Sequence, residues 1–163
     1  MAEKKKLEEQ MNQFVSFVLH GEEYGVPILC VQEIIRYETL TRVPQSLPYV
    51  DGVLNLRGQV IPVINLRRKF ELPEREPDKS TRIVVVEVQG RIMGMVVDEV
   101  SEVLQVNMDE IAPPPPMGTH LRTDFISGMA KMQDSLVILL EIDKILTTEE
   151  SVILEQTAAS AGE

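Results

Sequence analysis

A repeated pattern of strands and glycines constrains the fold of this chain more than any other feature of its sequence. One constant offset relates Gly21 to Gly90 and Gly25 to Gly94, and a slightly longer one relates Val50–Leu56 to Ile126–Met132 and Val60–Leu66 to Leu136–Ile142. The difference between the two offsets falls near Pro113–Pro116, a run that indicates an irregular connection. The chain is therefore predicted to contain one small β unit twice, with chance similarity between short apolar strands as the alternative.

Two hairpins make up the first copy of this unit. Phe14–Leu19 alternates between two faces in the manner of a strand, and Glu22–Val26 follows it after a short turn. Val53–Leu56 and Gln59–Leu66 form the second hairpin, with Arg57 and Gly58 at its tip. Glycine at that place favours a turn with positive φ.

Helices are predicted at two places. Pro27 suits the first residue of a short helix after the first hairpin, with one apolar face formed by Ile28, Val31 and Ile35. Thr147 and Glu150 are spaced as a capping box, which predicts a closing helix over about 148–158.

Composition and linkers predict one mainly β body. Of 163 residues, 44% are hydrophobic and 4% aromatic, so the core is built from Val, Ile, Leu and Met, a composition that favours sheet. We expect a flexible segment over 1–13 and a folded domain over 14–153, followed by the helix end and a frayed tail over 154–163. The charged loop 71–80 would separate subdomains of about 14–70 and 82–146, between which strands can be exchanged.

Charge and hydropathy restrict the kinds of partner that the chain could bind and the cellular compartment in which it would be found. Lys and Arg number 16 against 26 Asp and Glu, and a net charge of −10 argues against nucleic acid. Apolar runs such as Leu136–Leu140 are far shorter than the roughly twenty residues of a membrane-spanning helix, which predicts a cytoplasmic protein without membrane insertion. Cys30 is the only cysteine, which excludes an internal disulfide and indicates a reducing compartment.

Catalytic chemistry has no candidate in the sequence. His20 and His120 lie in predicted loops without a spacing partner, and Cys30 is interpreted as a small core residue. Asp98 and Glu99 are adjacent acids that would point to opposite faces of a strand, so both are interpreted as solvated charges. We predict no enzyme activity, no metal and no cofactor. The alternative from another class is a hydrolase or transferase that uses acids such as Asp98 or Glu141.

Arg57 is the side chain that most suggests a binding role. It stands at the tip of a tight hairpin, near apolar residues such as Val31 and Val60 in a compact fold. Arginine is a favoured anchor in protein interfaces, whereas a turn arginine can also simply stay hydrated. An adaptor is the natural interpretation of a folded, acidic chain without catalytic groups.

Three separated motifs then point to one family. The segment Gly52–Arg67 begins GVLNLRG, Glu23–Val26 is followed by Val31–Ile34, and Val96–Val100 reads VVDEV. Together, over about 14–153, the chain resembles the CheW family of bacterial chemotaxis adaptors. At two positions it departs from the family's usual pattern, since Asn65 replaces an Asp and Ala112 stands where a basic residue is sometimes found.

The resemblance implies a fold and a function. The fold would be mainly β, with two five-stranded SH3-like β-barrels packed together, a short helix after the first hairpin and a C-terminal helix. The function would be a scaffold that links chemoreceptors to the histidine kinase CheA, by binding the receptors' cytoplasmic tips and CheA's regulatory domain, a paralogue of this fold. A detached regulatory domain of the kinase is a rival, although no nucleotide-binding or phosphorylatable histidine segment accompanies the β unit.

The resemblance also implies which residues meet the partners and where. The receptor-binding residues would be Val31, Glu33, Arg57, Gly58, Val60 and Gly94. The kinase-binding residues would be Ile111, Ala112 and Met117. The protein would associate with membrane-bound receptor arrays, in which rings of adaptor can form.

Overall fold

A computed structural model describes residues 12–44, 47–113, 125–132 and 135–161. Within them lie eleven strands: β1 (Gln13–Leu19), β2 (Glu22–Pro27), β3 (Val31–Arg36), β4 (Val50–Leu56), β5 (Gln59–Asn65), β6 (Arg82–Val88), β7 (Arg91–Val97), β8 (Glu99–Gln105), β9 (Ile111–Ala112), β10 (Ile126–Lys131) and β11 (Leu136–Leu140). The helices of this part are α1 (Leu66–Lys69), α2 (Thr148–Ala161) and the 3-10 turns Ile28–Cys30, Met108–Glu110 and Ile142–Lys144. The prediction of a mainly β chain is confirmed.

The strands form two sheets. One has six strands in the order β8-β1-β2-β11-β10-β9, and the other has five in the order β3-β6-β7-β5-β4. β2 pairs with β11 and β5 with β7 in parallel, whereas the remaining pairs are antiparallel. After β3 the chain turns back so that Thr41 bridges Val53 of β4, which curls the five-stranded sheet towards closure. This arrangement is consistent with the expected pair of SH3-like barrels, except that the short strand β9 adds a sixth strand to one of the two expected five-stranded units.

The sequence repeat reappears as a repeat of structure. The offset from Gly21 to Gly90 carries β1 onto the bounds of β6, and the offset from Val50 to Ile126 carries β4 onto β10. The order β3-β6-β7-β5-β4 therefore matches β8-β1-β2-β11-β10 strand for strand. Each half of the chain contributes strands to both sheets, because the hairpin β1-β2 joins β8–β11 and the hairpin β6-β7 joins β3–β5.

Alternation along β6 shows how the core is organised. Val84 and Val86 face the largest apolar cluster, which also contains Phe17 of β1 and Met95 of β7 and so fills the space between the two sheets. The intervening residues Ile83 and Val85 face a second cluster inside the five-stranded unit. A strand buried on both faces explains the unbroken apolar run Ile83–Val86.

The short helix after the first hairpin is smaller than predicted. It is a 3-10 turn, Ile28–Cys30, and Val31 and Ile35 belong to β3. The expected helical face with Val31 and Ile35 is therefore wrong. In β3 the partly buried residues recur every second position, and Val31 pairs with Val86 of β6. Pairing with a strand distant in sequence decides the conformation of these β-branched residues.

The capping box at the start of α2 is confirmed. The Thr147 N–H donates to Glu150 Oε1 at 3.0 Å, and the Glu150 N–H donates to Thr147 Oγ1 at 3.1 Å. Glu150 also accepts hydrogen bonds from the Tyr49 hydroxyl and from Lys69 Nζ, the latter at 3.2 Å. Because Tyr49 precedes β4 and Lys69 ends α1, Glu150 docks the helix against the five-stranded unit.

Glu150→Gln is expected to remove part of the acid sensitivity of the fold. Burial raises the pKa of Glu150, but the bonds from Tyr49 and Thr147 and the charge of Lys69 lower it more, from 4.5 to about 2. This stabilisation is present above pH 4.5 and is lost as the pH falls towards 2. At pH 7 the variant should have a free energy of unfolding about 1–2 kcal/mol below wild type. Urea unfolding at neutral pH and again near the lowered pKa measures whether the difference shrinks.

The matched control for that experiment is Glu149→Gln, because Glu149 lies on the same turn but is exposed. This variant should show the same difference in free energy of unfolding between the two pH values as wild type. An unaltered pH dependence in Glu150→Gln would show that the docking contacts do not stabilise the helix.

Candidate functional site

The β4–β5 hairpin ends in a tight turn that projects an arginine. Leu56 pairs with Gln59, leaving Arg57 and Gly58 as the turn, with φ of +52° and +86°. Both values are those of a type I′ turn, whose twist suits a hairpin. The Asn55 side chain closes the turn by accepting a hydrogen bond from the Gly58 N–H at 2.9 Å.

The Arg57 guanidinium reaches across the unit to Glu33 on β3. Its Nη2 lies 2.9 Å from Glu33 Oε1 and its Nη1 3.2 Å from Oε2, a two-point contact. The Arg57 side chain is 73% exposed and that of Glu33 28%. An exposed ion pair contributes only about 0–1 kcal/mol to stability. In this contact the guanidinium lies above β3.

Glu33 reaches this position through an irregularity in β3. Val31 pairs with Val86 and Glu33 with Val85, so the register shifts between them. Gly94 of β7 lies in the same row, since it pairs with Val85. Gly94 itself is buried, and a Cβ there would lie 2.8 Å from Ile83 Cγ2. The structure thus places Gly94 in the interior of the sheet, two strands across from Glu33, and not on the surface.

Gly58 and Val60 line a groove of about 600 Å³ beside the turn. Pro62 of β5 lines it further along, and Leu154 and Ala158 of α2 line it from the helix. Val60 is half-buried. The groove therefore lies where the hairpin meets the closing helix.

The expected receptor residues are only partly brought together. Arg57 and Glu33 meet directly, whereas Gly58 and Val60 share the neighbouring groove. Val31 lies on β3, at the opposite edge of the sheet order from β4, and packs in part against the main core.

None of the large exposed apolar side chains in the described residues was among the expected site residues, and two of them are equivalent in the repeat. Ile34 on β3 is 40% exposed and Val103 on β8 is 53% exposed. They are related by the same offset as Gly21 and Gly90, so they occupy equivalent positions in the two copies of the repeat. β3 and β8 are the matching outer strands of their sheets. The repeat in the sequence shows that the two positions are equivalent. It does not show that they are exposed, because that depends on which face of each strand points outwards.

The residues expected to face the kinase lie at the edge of the six-stranded sheet. Ile111 and Ala112 form β9, and both are half-buried and pair with Ala130 and Met129 of β10. Both also line a groove of about 730 Å³. Met117 falls outside the described residues, as does His120.

Asp98 is not the solvated charge that the sequence predicted. Its Oδ1 accepts a hydrogen bond from Arg67 Nε at 2.7 Å, and its Oδ2 accepts one from Arg67 Nη2 at 2.5 Å. Both side chains are only 10% exposed. The backbone N–H of His20 also donates to it, at 3.0 Å. Burial raises the pKa of Asp98, but the bonds from Arg67 and His20 outweigh burial, so its pKa lies below the usual value. The assumption of exposure was wrong because the partner, Arg67, lies well before it in the chain, beyond the loop between the two halves.

Asn65 keeps a local bond network despite its departure from the family's pattern. Its Oδ1 accepts the Arg68 N–H at 3.2 Å and so caps α1, while its Nδ2 donates to Asp51 Oδ2 at 3.0 Å. Asp51 Oδ1 in turn binds Arg68 Nη2 at 2.5 Å. An amide at position 65 therefore places a donor against Asp51, where an ionised carboxylate would add a like charge.

The two acids considered for catalysis each lie beside a basic side chain. Asp98 binds Arg67, and Glu141 lies 3.5 Å from Lys144. Burial raises the pKa of the half-buried Cys30 thiol, which favours its neutral form. Among the described residues, no three His, Cys, Asp or Glu side chains are grouped as metal ligands, and no helix is long and apolar enough to cross a membrane.

The chain is thus a mainly β protein in which one unit occurs twice, in two packed sheets, and the Arg57 turn lies beside a groove. Residues 13–150 match the family described as CheW-like domain. The chain is 37% identical over 148 residues to the chemotaxis protein CheW of Klebsiella aerogenes, covering 91% of this chain and 89% of that protein. The chemotaxis protein CheW of Helicobacter pylori is 38% identical over 138 residues, 85% and 83% of the two chains.

A solved structure agrees with these matches. The scaffolding protein TtCheW from Thermoanaerobacter tengcongensis has a TM-score of 0.78 to this chain at 34% sequence identity, covering 85% of this chain and 94% of that one. This chain belongs to the CheW family of chemotaxis adaptors.

Proposed function

We propose that this chain is a non-enzymatic adaptor in the cytoplasm that links transmembrane chemoreceptors to the histidine kinase CheA. Membership of the CheW family and similarity to a scaffolding protein support the proposal. The observation that carries it is the exposed contact between Arg57 and Glu33 beside a groove lined by Gly58 and Val60. It supplies a charged anchor and an apolar surface, the two components of a protein interface.

The receptor side of this proposal uses the arginine turn. An arginine has five N–H donors, and the contact with Glu33 uses two of them, so Arg57 retains three for carboxylates or carbonyls of a helical partner. Val31 and Val60 would add apolar contact, and Glu33 and Gly58 would fix the position of Arg57. Gly94 would act indirectly, because it pairs with Val85 and Val85 pairs with Glu33 in the neighbouring strand.

The kinase side would lie at the edge of the other sheet. Ile111 and Ala112 on the edge strand β9 are the described candidates, and Met117 extends the set by sequence alone. An adaptor with two binding surfaces raises the effective concentration of receptor and kinase without any chemistry of its own. In receptor arrays at the membrane, the same surfaces would also allow rings of adaptor.

Arg57→Ala is expected to weaken binding of a receptor cytoplasmic fragment about 30-fold, the effect of removing a central interface arginine. Because its pair with Glu33 is exposed, the thermal midpoint should change little. Calorimetric titration of the fragment, with CheA titrated separately, measures both partners. Arg36→Ala is the matched control, since Arg36 is an exposed arginine on the same strand as Glu33.

The proposal fails if the wild-type chain binds neither the receptor fragment nor CheA. A collapse of the thermal midpoint in Arg57→Ala would instead make Arg57 a structural residue. Equal binding by Arg57→Ala and Arg36→Ala would move the receptor site away from the turn.

A further inference from the structure

The turn that presents Arg57 is held in a conformation that arginine rarely adopts. Arg57 has φ of +52°, in the left-handed region that a side chain with a Cβ usually avoids. In type I′ turns this first position normally holds asparagine, aspartate or glycine. An arginine there needs a further interaction that favours the closed turn over other tip conformations.

Other turns in the structure show how such a conformation is stabilised. His20 and Gln89 also precede a glycine, with φ of +49° and +52°. The N–H of His20 donates to Asp98 Oδ2 at 3.0 Å, and that of Gln89 donates to Asp143 Oδ1 at 2.9 Å. In both turns, a side-chain oxygen from a distant part of the chain binds a backbone N–H of the turn.

At the Arg57 turn the acceptor is local and uncharged. Asn55 Oδ1 binds the N–H of Gly58 at 2.9 Å. A carboxylate in this place would close the turn equally well, but it would offer the Arg57 guanidinium a second anion besides Glu33. A neutral amide closes the turn and leaves Glu33 as the carboxylate that orients the guanidinium.

The combination of Asn55 and Arg57 in one turn occurs in only one copy of the repeated unit. At the offset that relates Val50 to Ile126, Lys131 occupies the position equivalent to Asn55, and Gln133 occupies that of Arg57. Glu102, the counterpart of Glu33 at the glycine offset, therefore has no arginine at the matching sequence position. Asparagine and arginine occur together in the first copy and are replaced together in the second.

We propose that Asn55 is the positioning residue of the receptor site, which fixes the turn so that Arg57 is presented above Glu33 in its binding orientation. This inference rests on the proposed function. Asn55 acts through Arg57, so its effect on binding depends on the arginine being present.

A double-mutant cycle with the full chain and a purified receptor cytoplasmic fragment tests the dependence. Asn55→Ala should weaken binding about fivefold, the effect of one exposed hydrogen bond. In the Arg57→Ala background the same change should alter binding less than about twofold, since the residue it positions is gone. Equal effects in both backgrounds would overturn the inference.

Amide hydrogen exchange of Gly58 in the free protein supplies a readout of the turn itself. Exchange should be about tenfold faster in Asn55→Ala and return to the wild-type rate in Asn55→Asp, which keeps the acceptor. Unchanged exchange in Asn55→Ala would contradict the inference. Weak binding by Arg57→Ala but normal binding by Asn55→Ala would overturn the role of Asn55 alone, whereas normal binding by Arg57→Ala would overturn the receptor site as well.

Discussion

Asp98→Asn is expected to lower the free energy of unfolding at pH 7 by about 3 kcal/mol, the lower end of the effect of removing one partner from a buried ion pair, because this pair is largely but not fully buried. The Asp98 carboxylate accepts hydrogen bonds from two nitrogens of Arg67, at 2.7 and 2.5 Å, and both side chains are 10% exposed. An asparagine would leave the Arg67 cation buried without an opposite charge. Thermal unfolding should show a midpoint lower by about 10 °C, since 1 kcal/mol corresponds to about 2–4 °C at this chain length.

Two further variants make this experiment specific. Glu99→Gln changes the neighbouring acid, which is exposed, and should shift the midpoint by about 1 °C or less. The double change of Arg67→Met and Asp98→Leu should recover much of the loss, because no buried charge is then left unpaired. Equal midpoints for Asp98→Asn and Glu99→Gln would show that the pair is solvated after all.

The position of Asp98 explains why its loss would affect the whole fold. It lies between β7 of the five-stranded sheet and β8 of the six-stranded sheet, where the chain crosses from one to the other. Arg67 follows β5, and its Nη1 also donates to the Pro73 carbonyl at 2.7 Å in the loop between the halves. The pair therefore fixes the crossover, the loop and the His20 turn to one another.

The repeat could be predicted from the sequence because packing imposes its glycines. A Cβ on Gly25 would lie 3.2 Å from Leu139 Cδ2, and one on Gly94 would lie 3.2 Å from Val63 Cγ2. Leu139 and Val63 are themselves equivalent, on the strands β11 and β5 that run parallel to β2 and β7. The same close approach occurs in both copies, so the same residue type is required twice.

The division of the chain into two subdomains at the loop 71–80 stays a prediction, since strands from both halves enter each sheet.

The parts that sequence reasoning missed depend on contacts between distant segments. Ile28, Val31 and Ile35 have a spacing that fits a helix, whereas pairing of Val31 with Val86, on a strand of the other half of the chain, makes that segment a strand. The Arg57 turn is set by neighbouring residues and was predictable. Its contact with Glu33 was not, because it depends on the register shift in β3.

Gly94→Val is expected to destabilise the fold by about 3 kcal/mol or more, at the upper end of the cost of overfilling a packed core. The φ of Gly94 lies outside the left-handed region, so space and not backbone conformation limits the substitution. A Cβ would lie 2.8 Å from Ile83 Cγ2, and the further methyl groups of valine would press against Val63. Gly94→Ala should lie between wild type and Gly94→Val, at a loss of about 2 kcal/mol. Urea unfolding of the three proteins measures the series.

Gly25→Ala is the matched control, since it changes the equivalent glycine of the other sheet, where the nearest contact, at 3.2 Å, is with the mobile end of the Leu139 side chain. Its loss should be about 1 kcal/mol or less, because leucine can adjust its rotamer more readily than the branched Ile83. Receptor binding by the two alanine variants, compared at a temperature where both are folded, then separates packing from recognition. Weaker binding by Gly94→Ala alone would support an indirect role, since Gly94 pairs with Val85 and Val85 with Glu33. Equal binding by both variants would restrict Gly94 to packing and remove it from the proposed receptor site.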